Sequence, residues 1–122
     1  MAKRVIIPLH RNDVAPRFDL ATEVKSILLG DGGEHLEEKN VVLQESSAEK
    51  LCHLILTEAA RVVICGGIEE EYFRYLEWKG IEVLDGVMGP ADEALDRLVK
   101  GTLKSGANLF QDFEPEAAEG AV

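Results

Sequence analysis

The chain has 122 residues, of which 46% are apolar and 30% are charged, and these proportions are typical of one globular domain with a core of its own. Its 13 lysine and arginine residues against 23 acidic residues give a net charge of −10, which argues against nucleic acid or an anionic membrane surface as a partner. Two cysteines, Cys52 and Cys65, are too few for a disulfide framework, and no apolar run suits a signal peptide or a membrane span, so we expect a cytoplasmic protein.

The first part of the chain predicts three strands in a meander. The first covers Lys3–Leu9, where consecutive apolar residues indicate a strand covered on both faces and Pro8 is expected to mark a bulge or the strand's end. After a polar loop, Glu23–Leu29 forms the second strand. The sequence Asp31-Gly32-Gly33 then predicts a hairpin turn into a third strand over roughly Glu34–Leu43, whose polar start is typical of a sheet edge.

The second part of the chain predicts three helices and two further strands. Ser46 and Glu49 form a capping-box pattern for the first helix, and Cys52 lies on its apolar face, where we expect a core residue. Pro90 suits the first turn of the last helix. The expected elements are a helix from Ser46 to about Ala60, a strand at Arg61–Cys65, a helix at Ile68–Lys79 ended by Gly80, a strand at Ile81–Leu84, and a helix from Gly89-Pro90 to about Lys100-Gly101.

Composition divides the chain into a domain at residues 1–104 and an acidic tail at residues 105–122. The tail carries Asp112, Glu114, Glu116 and Glu119 and no basic residue, so the charge of the domain itself is nearer −6. Because the tail has little periodicity, we expect it to be disordered, above all at Glu114–Val122.

The element order β-β-β-α-β-α-β-α predicts an α/β fold with helices on both faces of a five-stranded mixed sheet. Right-handed crossovers place the fourth strand beside the first and the fifth outside it, which gives the order 3-2-1-4-5 in a three-layer, ribonuclease-H-like arrangement. The chain leaves the first strand toward one edge of the sheet and the fourth strand toward the other, so the direction of the connections reverses between these two neighbours. Their carboxyl ends are therefore expected to flank a binding crevice.

Residues with binding chemistry follow these two strand ends. An imidazole and a thiolate are metal ligands, while a glycine turn at a helix start and a guanidinium favour an anionic guest. Each residue also has a simpler explanation, as a buried apolar thiol, a solvated histidine or a tight turn. The candidate cofactor-binding residues are Asp13, Arg17, Cys65, Gly66 and Gly67, the candidate metal ligands are His10 and Cys65, and Asp85–Gly89, with Met88, is expected nearby.

Several enzyme classes lack their required residues. A ribonuclease-H-type nuclease needs a carboxylate on the first strand to help bind two metal ions, and Lys3–Leu9 has none. There is no Walker loop, and Cys65-Gly66-Gly67-Ile68 lacks the full dinucleotide-binding glycine pattern. We therefore expect a non-enzymatic protein, with a hydrolase that uses Cys65, His10 and Asp13 as the remaining catalytic alternative.

The stretch Val14–Ala21 resembles the loop of the nitrogenase iron–molybdenum cofactor-binding accessory family, which usually reads His-Phe-Gly between small residues. The strand–helix–strand pattern from Val63 to Val83 and the acidic start of the last helix are similar to the same family. The resemblance covers residues 3–101. Arg17 stands where the family's histidine would be and Asp19 where its glycine would be, whereas Cys65 matches a position where members often have cysteine.

This resemblance implies a ribonuclease-H-like fold and a small binding or carrier protein for an iron–sulfur or iron–molybdenum cluster, with a protein partner in cofactor assembly. It also implies Cys65 as the matching ligand, with His10 in place of the absent loop histidine and Arg17 as a charged contact to an anionic cluster. The alternative is a regulatory or protein-interaction module of the same fold that has lost cluster binding.

The second predicted helix is rich in aromatic residues. Tyr72, Phe73, Tyr75 and Trp78 are more than one buried stripe accommodates. We therefore expect some of these rings to be exposed, either as ordinary surface residues or as a contact with another protein.

Overall fold

The computed structural model describes residues 2–110, which form an α/β fold with six strands and three α-helices. The strands are β1 (Lys3–His10), β2 (Asp13–Val14), β3 (Glu23–Leu29), β4 (His35–Val42), β5 (Val62–Ile64) and β6 (Glu82–Leu84). The helices are α1 (Ala48–Thr57), α2 (Glu70–Trp78) and α3 (Ala91–Val99), and a short 3-10 helix covers Phe18–Leu20. Within residues 2–110, no helix combines the length and apolarity that a bilayer crossing requires.

The six strands form one mixed sheet in the order β4-β3-β1-β5-β6, with β2 paired to β1 beside this path. The contacts of β5 with β1 and β6 are parallel, and the other pairings are antiparallel. The prediction of a five-stranded sheet is wrong because it missed β2. Two residues are too few to show strand periodicity, and only their pairing with Leu9 and His10 defines them as a strand.

Two apolar cores lie on opposite faces of the sheet. Successive residues of a strand point to opposite faces of the sheet, so the side chains of β1 and β5 enter the two cores alternately. Val5, Val62 and Ile64 pack with α3, whereas Ile6 and Val63 pack with α1 and α2. Because both faces of these strands are covered, their sequences are apolar without alternation, as predicted.

Pro8 lies inside β1 and not at its end, which corrects the sequence prediction. The strand continues to His10, and Pro8 is aligned with Val24 of β3. The Pro8 carbonyl accepts a hydrogen bond of 2.8 Å from the N–H of Ala15, in the loop that returns after β2. The missing proline N–H is tolerated here because β5 pairs only with the earlier residues Val5 and Ile6.

Helix α1 begins one residue later than its capping pattern predicts. Ser47, not Ser46, is the N-cap, and its hydroxyl accepts a hydrogen bond of 3.2 Å from the N–H of Lys50. Cys52 is a core residue of this helix, as expected. Helix α2 begins at Glu70 and not at Ile68, while Gly80 follows its end with a φ of +85°, a conformation that favours glycine.

The domain extends beyond the predicted boundary at residue 104. The N–H of Gly106 donates to the Asp85 carbonyl at 2.8 Å, and the N–H of Leu109 donates to the Met88 carbonyl at 2.7 Å. Leu109 is fully buried in the core beneath α3. Residues 105–110 are therefore packed on the domain, and the disorder expected at Glu114–Val122 concerns residues outside the described range.

The corrected N-cap gives a test of helix stability. Replacing Ser47→Ala removes the hydroxyl that accepts the Lys50 N–H, and we expect the free energy of unfolding to fall by about 1 kcal/mol. Ser46→Ala is the matched control and should change it by less than about 0.5 kcal/mol. Urea denaturation measures both values, and a larger loss for Ser46→Ala would contradict the assignment.

Candidate functional site

The loop between β1 and β3 covers the turn that follows β5, at the edge of the crevice that the sequence predicts. Strand β5 ends at Ile64, and the returning chain crosses directly over the turn that follows it. The N–H of Gly67 donates to the Pro16 carbonyl at 2.7 Å, and the N–H of Phe18 donates to the Gly67 carbonyl at 2.8 Å. The Gly67 N–H is therefore already bonded to the protein and is not free for an anionic guest.

Gly66 is required by this crossing. A Cβ atom built at Gly66 would lie 2.4 Å from the carbonyl oxygen of Ala15 and 2.6 Å from that of Pro16. These distances are far below van der Waals contact, and both neighbours are backbone atoms that cannot move independently. The glycine thus permits close approach of two backbone segments, which is a structural role.

The start of α2 does not form the expected anion site. The helix begins three residues beyond Gly67, and Glu70 and Glu71 occupy its first turn. These carboxylates complement the positive end of the helix dipole and would repel a second anion. The junction after β5 is therefore a structural turn.

Cys65 lies in the core and not at the cleft, contrary to its prediction as a metal ligand. Its side chain is fully buried, in the core between the sheet and helices α1 and α2. Burial, and to a smaller extent the nearby Asp85 carboxylate, raise the pKa of the Cys65 thiol to about 12. The physical reason is the alternation of side chains along a strand. Cys65 follows Val63 by two residues, so both side chains face the same side of the sheet. The thiol is neither available to a guest nor activated as a nucleophile.

His10 and Asp13 are brought together as a pair. They are opposed residues across the turn that joins β1 to β2, so their side chains lie on the same face of this hairpin. Arg11, within the turn, has a φ of +60°, which is uncommon for a residue with a side chain. The hairpin is held in place by hydrogen bonds from the Val14 N–H to the Gly89 carbonyl at 2.9 Å and from the Ala91 N–H to the Asn12 carbonyl at 3.0 Å.

Both side chains line a cleft of about 300 Å³ outside the carboxyl ends of the strands. The cleft is also lined by the turns at Gly66-Gly67 and Gly86–Gly89, the second of which carries the half-exposed Met88, and by Phe110. Turns of this kind let a bulky guest approach the main chain closely. The cleft therefore offers nitrogen, oxygen and sulfur donors from His10, Asp13 and Met88.

Arg17 lies on a neighbouring surface and not in this cleft. Its guanidinium forms a two-point interaction with the Asp19 carboxylate, through Nη2 at 2.8 Å and Nε at 3.2 Å. It lines a second cleft of about 280 Å³, of which His10 forms another wall. Arg17 is therefore absent from the lining of the first cleft, and its guanidinium is paired with Asp19.

Phe110 is the cleft residue that the sequence prediction missed. Phe110 lies in the segment predicted to be the tail. Within this largely polar stretch, Leu109 and Phe110 form an apolar pair. That pair is the only local signal of packing. Gly86, Met88 and Gly89 were expected near the site and do line the cleft.

The described residues do not build a complete metal-ion site. Within residues 2–110, no group of three or more histidine, cysteine, aspartate or glutamate side chains is arranged to hold a metal ion. His10 and Asp13 supply two such ligands, and Met88 adds a soft sulfur that this set does not include. The donor set therefore fits a guest that needs few protein ligands.

Comparison with known proteins connects this architecture to one family. The family described as dinitrogenase iron-molybdenum cofactor matches residues 1–101 of the chain. A search of characterised proteins gave no match. The family match spans nearly the same region as the resemblance, which covers residues 3–101.

Solved structures share the fold at low sequence identity. The crystal structure of PH0822 is 23% identical with a TM-score of 0.75, over 84% of this chain and 93% of that one. A proposed dinitrogenase from Methanocaldococcus jannaschii is 20% identical with a TM-score of 0.70, over 85% and 94% of the two chains. A proposed NifB protein from Thermotoga is 20% identical with a TM-score of 0.63, over 87% and 95%. These similarities establish the fold.

The close approach of two backbone segments at Gly66 predicts that one added methyl group there lowers the stability of the fold strongly. Gly66→Ala forces the Cβ against two carbonyl oxygens, and we expect a loss of about 3 kcal/mol in the free energy of unfolding. Gly67→Ala is the control, because its Cβ would lie 3.3 Å from the nearest atom, and we expect a loss below about 1 kcal/mol. Equal losses in the two variants, measured by urea denaturation, would contradict the crossing described here.

Burial of the two thiols predicts their reactivity. Cys65 and Cys52 are both buried, and burial raises their pKa values to about 12 and about 11. We expect iodoacetamide at pH 8 to leave both unmodified in the native chain and to modify both in urea. Mass spectrometry measures the outcome, and full labelling of native Cys65 would show that its thiol is accessible.

Proposed function

Because the chain belongs to the dinitrogenase iron-molybdenum cofactor family, we propose that it is a small carrier that holds an iron–sulfur or iron–molybdenum cluster as cargo. The observation that carries the proposal is the pairing of His10 and Asp13 on one face of the β1–β2 hairpin, where both line the glycine-walled cleft. The cluster would enter this cleft preformed and leave it intact.

The donor set supports a cargo role over a resident metal site. A preformed cluster brings its own bridging sulfides, so its irons need few ligands from the protein. The His10 imidazole is an iron ligand in its neutral form, the Asp13 carboxylate is a harder donor, and the Met88 thioether is a soft one. A site with so few protein ligands would hold the cluster weakly enough to release it.

The same arrangement supports a role without catalysis. The catalytic alternative depended on a reactive thiol at Cys65, and this thiol is buried with a pKa of about 12. A carrier must meet the protein that makes the cluster and the protein that receives it, so the proposal includes a partner in cofactor assembly. The proposed compartment is the cytoplasm, where both cysteines stay reduced.

A second candidate function is a protein-interaction or regulatory module of the same fold that has lost cluster binding. The observation that favours it is the incomplete ligand set, since residues 2–110 hold no group of three histidine, cysteine or acidic ligands. Both proposals assume that the fold is ribonuclease-H-like. Cluster binding separates them.

Anaerobic incubation with a preformed synthetic cluster of four irons and four sulfides, followed by removal of unbound cluster, tests the carrier proposal. We expect bound iron and visible charge-transfer absorbance in the intact chain, and a loss of about tenfold or more in bound iron for His10→Ala. His35→Ala is the matched control, because it removes an exposed imidazole from β4, which is remote from the cleft along the sheet. Cys65→Ala should also keep its iron.

Two outcomes would contradict this assignment. Absence of bound iron in the intact chain would favour the module without a cluster. Loss of iron in Cys65→Ala, with retention in His10→Ala, would place the cluster at the thiol and require the core around β5 to open.

A further inference from the structure

A groove of about 410 Å³ lies between α1 and α2, apart from the cleft. It is lined by the apolar and aromatic side chains of Cys52, Leu56, Tyr72 and Tyr75, together with the imidazole of His53. Glu49 from α1 and Glu71 from α2 stand at its rim. The groove is therefore largely apolar, with one acidic residue from each helix and one imidazole from α1.

The rim carboxylates are not neutralised by the domain itself. Of the nearby basic residues, Lys50 is paired with Glu45 and Arg74 is paired with Glu70. Among residues 2–110, neither Glu49 nor Glu71 forms an ion pair. Partial desolvation and then the carboxylates of Glu71, Glu49 and Glu69 raise the pKa of Tyr72, so negative charge from both helices converges on its hydroxyl.

An exposed aromatic face continues from the groove along α2. Trp78 is 78% exposed, and its ring centroid lies 6.5 Å from that of Tyr75, which forms a groove wall. The ammonium of Lys79 lies 4.8 Å from the Trp78 ring centroid and 5.6 Å from that of Tyr75. Both distances are within the range of a cation–π contact.

We propose that this groove is a docking site for a basic segment of a partner protein that inserts apolar anchors between α1 and α2. Apolar anchors would fill the space beside Leu56 and Tyr75, and lysine or arginine side chains would pair with Glu49 and Glu71. A helix of the partner is the element that fits a groove between two helices. The inference does not depend on cluster binding, because the groove shares no lining residue with the cleft.

Charge disfavours two other occupants. A second copy of the chain in a two-fold interface would bring the same acidic rim against itself. The chain's own tail carries four acidic residues and no basic residue between Ser105 and Val122. Only a basic partner complements the rim.

A pair of designed peptides tests the docking site in the full chain. The first is a fluorescein-labelled peptide of about 14 residues, with leucines at helical spacing and lysines elsewhere, and the second replaces each lysine with glutamate. Anisotropy measures binding, and Trp78 provides a second signal, because it is the single tryptophan of the chain. We expect the lysine peptide to bind about tenfold or more tightly than the glutamate peptide and to change the Trp78 fluorescence.

Charge reversal at the rim separates docking from general attraction to an acidic protein. Glu49→Lys with Glu71→Lys should weaken binding of the lysine peptide about tenfold or more. Asp92→Lys with Asp96→Lys makes the same change in net charge on α3, across the sheet, and should weaken it less than about threefold. Equal weakening in the two double variants would overturn the proposal, as would absence of binding by the unaltered chain.

The other occupants are recognised by separate measurements. A dimer in sedimentation that Tyr75→Ala dissociates would assign the groove to a second copy. Tighter peptide binding by about tenfold in Phe113→Ser, which removes the one aromatic side chain of residues 111–122, would assign it to the tail. Either result would overturn the docking of a basic partner.

Discussion

The structure depends on the burial of β5 between β1 and β6. This strand has three residues, all of them buried, and it is hydrogen-bonded to a parallel neighbour on each side. Once its register with β1 is set, the alternation of side chains directs Val62 and Ile64 to the α3 core and Val63 and Cys65 to the α1–α2 core. A shift by one residue would reverse both faces, so the two cores fix the register together.

The end of β5 decides where a guest can bind. The hairpin of β1 and β2 occupies the position beside β1 that β5 leaves free, and its continuation crosses Gly66 and bonds to Gly67. The chain itself covers the turn after β5. The cleft beside this turn is lined by His10 and Asp13 of the hairpin, by the turns after β5 and β6, and by Phe110.

The cleft and the acidic groove are distinct surfaces joined by one packed contact. The Phe18 ring stacks on Tyr72 with centroids 6.5 Å apart, and Tyr72 forms a wall of the groove. Phe18 is also the residue whose N–H donates to the Gly67 carbonyl beneath the cleft. The loop that shapes the cleft therefore rests on the helix that shapes the groove, which makes the packing around Phe18 common to both.

The sequence by itself determined the elements and the family, because both depend on local patterns. Glu23–Leu29 has the predicted bounds, and the Val14–Ala21 loop carries the family resemblance. The tertiary structure alone decided the two-residue strand β2, the burial of Cys65 and the packing of Leu109. Each of these depends on contacts with residues distant in sequence. Strand β2 needs its partner β1, the burial of Cys65 follows from the register of β5 in the sheet, and Leu109 completes a core built by other segments. Such contacts leave no periodic signal in the chain.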